Sequence, residues 1–286
     1  MINQIRKVIQ LIEPQPVIEG AGVKLIRSIA NSRLDHLDPF LLFDHFGSKD
    51  PADYIKGFPM HPHRGIETVT YMISGQVNHK DSIGNSGNIT DGDVQWMTSG
   101  RGIMHEEMPQ PHEGEMVGFQ LWVNLPARLK MTSPRYQNIT SDQIPEIQHE
   151  DGVKIRVIAG VVNGVHGPAE EIVAEPTYLD IWIPPNGAFS QSIERGHAAF
   201  AYIFEGEGIF EADDAAGKPI SHPRLIVFGD GDRVTVRAAD PGVRFLLVSG
   251  KPFNEPIARW GPFVMNTREE IEQTLRELKN GTFIKK

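Results

Sequence analysis

The chain contains no cysteine among its 286 residues. That absence excludes a disulfide framework, a thiolate nucleophile and every cysteine-based zinc site, so a bound metal would have to be held by histidine and carboxylate. Long apolar runs are missing as well. No window approaches the run of about 18 apolar residues that a transmembrane helix needs, so no membrane span is expected. The stretch from Met1 to Leu11 alternates apolar and polar residues and lacks the apolar core and small-residue cleavage site of a secretory signal, which points to a cytoplasmic protein. Basic residues are in the minority. Lys and Arg total 28 against 37 Asp and Glu, and the resulting formal charge of −9 has the wrong sign for a surface held on phosphates. Direct nucleic-acid binding is therefore not expected.

The remaining composition, 40% hydrophobic and 23% charged, is that of a globular protein able to bury a core. The length suits two domains of ordinary size. Glycine (28) and proline (21) are spread along the chain, which breaks it into many short elements. Segments rich in β-branched and aromatic residues lie between these breaks, at Glu67–Ile73, Phe119–Asn124, Lys154–Ala159, Leu179–Ile183, Phe200–Phe204, Leu225–Phe228, Arg233–Arg237 and Val243–Val248. The intervening segments are too short and too polar for crossover helices, so the fold class is mainly β, of the sandwich or barrel type. One helix is expected near the C-terminus. Thr267 and Glu270 form a capping-box pattern, Ile271, Leu275 and Leu278 recur at helical spacing, and Gly281 supplies a stop.

A short internal repeat divides the chain. Tyr71-Met72-Ile73-Ser74-Gly75 is echoed by Tyr202-Ile203-Phe204-Glu205-Gly206, and each is followed by Asp-Gly-Asp, at Asp91–Asp93 and Asp230–Asp232. The second interval is longer, which an inserted loop such as Asp213–Pro219 would explain. A boundary is expected in the polar, proline-containing stretch between Met131 and Asp151, giving an N-terminal domain over residues 1–140 and a C-terminal domain over residues 141–286.

The first copy holds His61-Pro62-His63 and, further on, His105-Glu106-Glu107. On a strand, residues i and i+2 share a face, so each tripeptide can present two metal-capable side chains together. If two antiparallel strands join those faces, three imidazoles and one carboxylate converge, a set suited to a first-row divalent metal. Chance alone predicts roughly 0.4 H-x-H and 0.8 H-x-E in a chain with this histidine and glutamate content, so neither motif decides the matter by itself. The repeat offers a comparison. Counting back from the Tyr-x-x-x-Gly element matches His61 and His63 with Ser192 and Glu194; counting forward from Asp-Gly-Asp matches His105 and Glu107 with Arg244 and Leu246. The C-terminal copy is thus expected to lack the metal ligands. His36, His45, His79, His112, His149, His166, His197 and His222 stand without a paired ligand and are assigned no role. Phe46, Met60, Trp96 and Met97 could wall an apolar pocket for an aromatic ligand, core packing being the alternative.

The run from His61 to Tyr71, then Arg101-Gly102-Ile103-Met104-His105-Glu106-Glu107-Met108-Pro109, then Gln120-Leu121-Trp122-Val123-Asn124-Leu125-Pro126, resembles the pirin family of bicupins. The tail Gly261–Thr267 is similar to that family's C-terminal segment. The resemblance implies two tandem cupin β-barrels ending in a helix, with one metal in the N-terminal barrel. It implies His61, His63, His105 and Glu107 as ligands, Fe(II) as the expected ion, and Mn, Ni, Cu or Zn as alternatives. Cupins commonly carry a carboxylate four residues after the second histidine, and Glu67 occupies that place. Pirin-like chains take the carboxylate from the H-x-E pair, which leaves Glu67 to orient a ligand histidine or to pair with Arg64 or Arg101.

Pirin-like proteins resemble flavonol dioxygenases, which implies a quercetin 2,3-dioxygenase acting on a flavonol-like aromatic molecule and O₂, with Glu107 as the catalytic base. The alternative implied by the same resemblance is an iron-dependent redox-sensing regulator that acts through a protein partner such as a transcription factor or metabolic enzyme. A third is a metal-free scaffold. A monomer is expected, because a bicupin is already internally dimer-like.

Overall fold

The structure, a computed structural model, describes residues 4–210 and 217–285. The first three residues of the Met1–Leu11 stretch, and residues 213–216 of the expected Asp213–Pro219 insertion, lie outside the described residues. Among those described, strands dominate and Arg268–Lys279 is the α-helix. No helix among the described residues is long and apolar enough to cross a membrane. All eight expected strand segments fall within observed strands, the last two merging into the long strand Arg233–Gly250.

The chain forms two compact units, one of Gln15–Ser141 with Phe253–Lys286 and the other of Met1–Pro14 with Asp142–Pro252. The division at Ser141 falls inside the expected boundary stretch. The expected domains 1–140 and 141–286 nevertheless need correction at both ends, because each unit incorporates the terminal segment expected in the other. The cause is edge pairing and side-chain anchorage. Strand Val8–Ile12 pairs antiparallel with Arg224–Phe228, and the buried Arg6 guanidinium donates to the carbonyls of Glu194, His197 and Gly229.

The unit that contains the two histidine motifs has a seven-stranded antiparallel sheet in the order Arg135–Ile139, Val94–Thr98, Ile66–Ser74, Met116–Asn124, Phe40–Ser48, Val23–Ile29, Gln15–Glu19. A four-stranded sheet of Phe58–His63, Ile103–Pro109, Val77–Asp81 and Ser86–Ile89 accompanies it. Alternation along Ile103–Pro109 buries Ile103, His105, Glu107 and Pro109, so the polar residues of the motif point inward with the apolar ones. Phe43, Val69, Tyr71, Phe119 and Leu121 are among the buried side chains of the larger sheet. The other unit repeats the plan. Ala198–Phe210 lies between Arg224–Phe228 and Arg233–Gly250, as Ile66–Ser74 lies between Val94–Thr98 and Met116–Asn124.

That shared plan corrects the register of the repeat. Asp91–Asp93 precedes the flanking strand Val94–Thr98, whereas Asp230–Asp232 follows the equivalent strand Arg224–Phe228. The second Asp-Gly-Asp therefore occupies the place of Ser99–Gly102, and Arg233 opposite Ser192 is equivalent to Ile103 opposite His63. The structural counterparts of His61, His63, His105 and Glu107 are then Ser190, Ser192, Thr235 and Arg237. None of these supplies an imidazole or carboxylate, but the residues differ from those that sequence counting selects.

The C-terminal segment reaches the metal-motif unit through a hairpin, Ala258–Trp260 with Phe263–Met265. Helix Arg268–Lys279 follows. Its N-cap is the expected capping box, with Thr267 accepting from the Glu270 N–H and Glu270 accepting from the Thr267 N–H. The apolar stripe is narrower than the sequence suggests. Ile271 is buried and Leu275 packs beside Phe263, Met265 and Phe283, while Leu278 is exposed. Buried Arg64 joins this segment to the turn after His63. It donates to the Arg101 and Phe283 carbonyls, to Thr274 Oγ1 and to Glu277 Oε2 at 2.7 Å, with its guanidinium 4.5 Å from the Phe283 ring centre. The next residue must be glycine, because Gly65 has φ +79° and a Cβ there would stand 2.0 Å from the Val264 carbonyl oxygen. Removing Arg64 takes its donors from the Arg101 and Phe283 carbonyls and leaves the Glu277 carboxylate with only Gln273 and Lys285. Arg64→Ala is expected to destabilise this unit by about 3 kcal/mol and to raise amide exchange in Arg268–Lys279; unchanged exchange in that helix would contradict the anchoring role.

Candidate metal centre

Strands Phe58–His63 and Ile103–Pro109 are antiparallel, with His105 directly opposite His61 and Ile103 opposite His63. The i, i+2 relation puts His61 and His63 on one face, and the register brings His105 to it. The ring centres are 4.3 Å apart for His61 and His105 and 4.9 Å apart for the other two pairs. One ring nitrogen from each lies within 4.8 Å of the others.

Burial sets the protonation of this cluster. His105 is fully buried and His63 nearly so, and desolvation, followed by repulsion from neighbouring imidazoles, holds both well below the ordinary histidine pKa. His61 is lowered as well, first by desolvation. Neutral imidazoles offer lone pairs rather than charge. The Pro59 carbonyl lies 2.9 Å from His61 Nδ1 and can only accept, which assigns the proton to Nδ1 and turns a bare Nε2 toward His63 Nε2, 3.0 Å away. Both nitrogens of His105 are buried without a hydrogen-bond partner. Three neutral, converging nitrogen bases with unmet bonding capacity fit a divalent transition metal.

Glu107 is placed differently. A bulge between His105 and Glu107 breaks the pairing with the first strand, so that Glu107 lies opposite Phe58 and, on its other side, opposite His79. Its Oε1 accepts from Thr70 Oγ1 at 2.9 Å, and it is not among the donors grouped within 4.8 Å. It does line the same cavity as His61 and His63. Burial pushes its carboxyl up to about 7 against the single hydrogen bond from Thr70.

The cavity has a volume of about 490 Å³. Leu25, Leu42, Phe46, Phe58 and Trp122 supply apolar wall, and Gln120 adds a polar group beside Glu107. His63 meets Trp122 edge-on at 5.0 Å, and the Arg259 guanidinium stands 5.1 Å from the same ring. Farther along the wall, Arg27 grips Asp44 with two bonds of 2.7 Å. Of the four apolar candidates, Phe46 lines this cavity. Trp96 and Met97 are wholly buried, whereas Met60 is exposed.

Two residues depart from expectation. Glu67 meets neither a ligand histidine nor Arg64 or Arg101; it accepts from Thr98 Oγ1 at 2.8 Å and Trp96 Nε1 at 3.1 Å. The strand register explains this, since Thr98 is its cross-strand partner. His79, unassigned from sequence, is buried behind the centre. Its ring lies 5.4 Å from that of His105, stacks on Tyr136 at 4.9 Å, and places Nε2 3.4 Å from Asp81 Oδ2. The alternation His79-Lys80-Asp81 on one strand was the available signal.

Glu67 also carries a pH signature. Its burial raises the carboxyl from 4.5 to about 7 against the Thr98 and Trp96 hydrogen bonds. A raised carboxyl binds more protons folded than unfolded between those values, so its contribution to stability is present at low pH and is lost as pH rises from about 4.5 to 7. Glu67→Gln keeps an acceptor for Trp96 and a donor for Thr98 and has no such titration. Between pH 5 and pH 8, wild type is expected to lose roughly 2–3 kcal/mol more than Glu67→Gln in chemical denaturation; identical losses would refute the assignment.

Comparison with known proteins places the site in a family. The Pirin family model matches residues 22–123, and the model of the Pirin C-terminal cupin domain matches residues 178–284. A Pseudomonas aeruginosa protein provisionally named a quercetin 2,3-dioxygenase is 42% identical over 286 residues, spanning 98% of this chain and 99% of that one. Human Pirin is 43% identical over 265 residues, 92% of this chain and 88% of that one. Among solved structures, a quercetin 2,3-dioxygenase from Acinetobacter baumannii has a TM-score of 0.89 at 33% identity, covering 98% of this chain and 99% of that one. Family models matching both halves, and relatives similar along nearly the whole length, lead to one conclusion: the chain belongs to the pirin family and carries its two cupin domains.

Proposed function

We propose that this protein is a metal-dependent quercetin 2,3-dioxygenase that opens flavonol rings with O₂. The observation that carries the reading is the convergence of three neutral imidazoles, His63 and His105 buried and His61 half-buried, at a largely apolar cavity of small-molecule size, with a carboxyl of raised pKa on the same wall. The similarity to proteins named as quercetin 2,3-dioxygenases supports it. His61, His63 and His105 would hold the ion, with Glu107 as fourth ligand. Fe(II) is the proposed metal; Mn, Ni, Cu and Zn suit the same donors. When bound, the metal supplies Lewis acidity and, if redox-active, a route for electrons to O₂.

The protein's own groups bind, orient and deprotonate. Trp122 and Phe58 offer flat apolar surface to an aromatic substrate. Gln120 and Glu107 give the same wall a polar strip that fixes the orientation of a hydroxylated ring. Glu107, on the cavity wall beside the imidazoles, is placed to accept the proton of the flavonol 3-hydroxyl. Thr70 Oγ1 stands 2.9 Å from Glu107 Oε1 and 2.8 Å from Gln120 Oε1, and its single proton, shared between the two oxygens, helps to hold the base in place. Exclusion of bulk water by the apolar walls protects the electron-rich flavonolate until the ring opens and carbon monoxide leaves.

The test uses anaerobically iron-loaded protein, quercetin and O₂, with flavonol absorbance followed over time. His61→Ala is expected to abolish turnover together with metal retention. Glu107→Gln is expected to retain metal measurably while turnover falls about 100-fold or more; unchanged turnover with bound iron would contradict the role of Glu107. Iron-loaded wild-type protein that leaves quercetin untouched would refute the enzymatic reading in favour of metal-dependent binding or regulation.

A further inference from the structure

The unit built from Met1–Pro14 and Asp142–Pro252 places Ser190, Ser192 and Thr235 where the other unit has its imidazoles. Its own metal-capable side chains are gathered one loop further on. Residues 193–197 connect strand Ala188–Ser192 to strand Ala198–Phe210, where the other unit needs only Arg64 and Gly65. This longer connection carries Glu194 and His197. Buried Arg6 fixes its backbone, donating to the Glu194 carbonyl at 2.7 Å and the His197 carbonyl at 2.8 Å. The two side chains are thereby presented to a cleft of about 500 Å³ whose opposite wall includes Glu175, just before strand Thr177–Ile183.

One donor atom each from Glu175, Glu194 and His197 lies within 4.8 Å of the others. His197 is only 9% exposed, yet its ring makes no hydrogen bond among the described residues. The nearest carboxylate oxygen, Glu194 Oε2, is 3.9 Å from Nε2, beyond hydrogen-bond reach. The cleft thus joins a mostly buried imidazole that has no protein hydrogen-bond partner to two solvent-exposed carboxylates. Glu170 and Glu171 line the same cleft. The cations facing it are Lys251, bonded to Glu175 Oε1 at 2.9 Å, and Arg6, occupied by backbone carbonyls and standing 3.5 Å from Asp230.

We propose that this cleft is a second divalent-cation site, in which His197, Glu194 and Glu175 hold one first-row ion independently of the three-imidazole centre. Donors of a tetrahedral zinc ion stand about 3.3–3.6 Å apart, so the three groups draw together by side-chain rotation when an ion enters. One nitrogen with two carboxylates selects zinc or manganese over calcium or magnesium, which prefer oxygen alone. Lys251 is the built-in competitor, because it must release Glu175 when the ion enters.

Zinc is the probe, and the double variant His61→Ala/His105→Ala removes the first centre from the measurement. Equilibrium dialysis with metal analysis is expected to find one zinc per chain in that background and none when His197→Ala is added, circular dichroism confirming that both remain folded. In the otherwise natural chain, Lys251→Met is expected to tighten the second zinc at least threefold while leaving the first unaffected. No zinc in the double variant, zinc that persists after His197→Ala, or an affinity indifferent to Lys251→Met would each overturn the site. None of these results depends on flavonol turnover.

Discussion

The convergence of His61, His63 and His105 leaves buried ring nitrogens without a protein partner, and the candidate metal centre rests on that constraint. A neutral imidazole has one donor and one acceptor nitrogen. His61 directs its proton to the Pro59 carbonyl, while both nitrogens of buried His105 lack a hydrogen-bond partner. Leaving such groups unpaired costs about 1–3 kcal/mol each, and charging them is opposed by the same desolvation that lowers their pKa values. A shared cation resolves both difficulties, since it uses the lone pairs without adding protons.

The surroundings are arranged to keep this cluster in place. Strand register sets His105 against His61, the bulge after His105 redirects Glu107 toward Thr70, and Arg64 fastens the turn after His63 to the C-terminal helix. The centre is thus held by segments more than two hundred residues apart in sequence. The cavity in front of it combines apolar side chains with the polar groups of Glu107, Gln120, Arg27, Asp44 and Arg259.

Much of this was legible in the sequence because it depends on local periodicity. The H-x-H and H-x-E tripeptides alternate on strands, and the capping box at Thr267 lies where its residues predict. The errors concern pairing between distant segments. Turns draw repeatedly on Asp and Gly, so the two Asp-Gly-Asp sequences look equivalent while flanking different strands. Glu67 finds Thr98 and Trp96 across the sheet, a register that cannot be read from Glu67's own neighbours. The exchange of terminal segments is equally non-local, since neither the alternation in Met1–Leu11 nor the strand signal at Leu225–Phe228 says that the two segments pair. His79 shows the remaining gap: its spacing to Asp81 marks a shared strand face, but that this face lies beside His105 follows only from the fold.

Anomalous diffraction from crystals grown with the metal present tests the central claim most directly. A single ion about 2.0–2.2 Å from a ring nitrogen of His61, of His63 and of His105 is the result these buried imidazoles require. Rings that turn away from one another, with no anomalous peak between them at saturating iron, would contradict it.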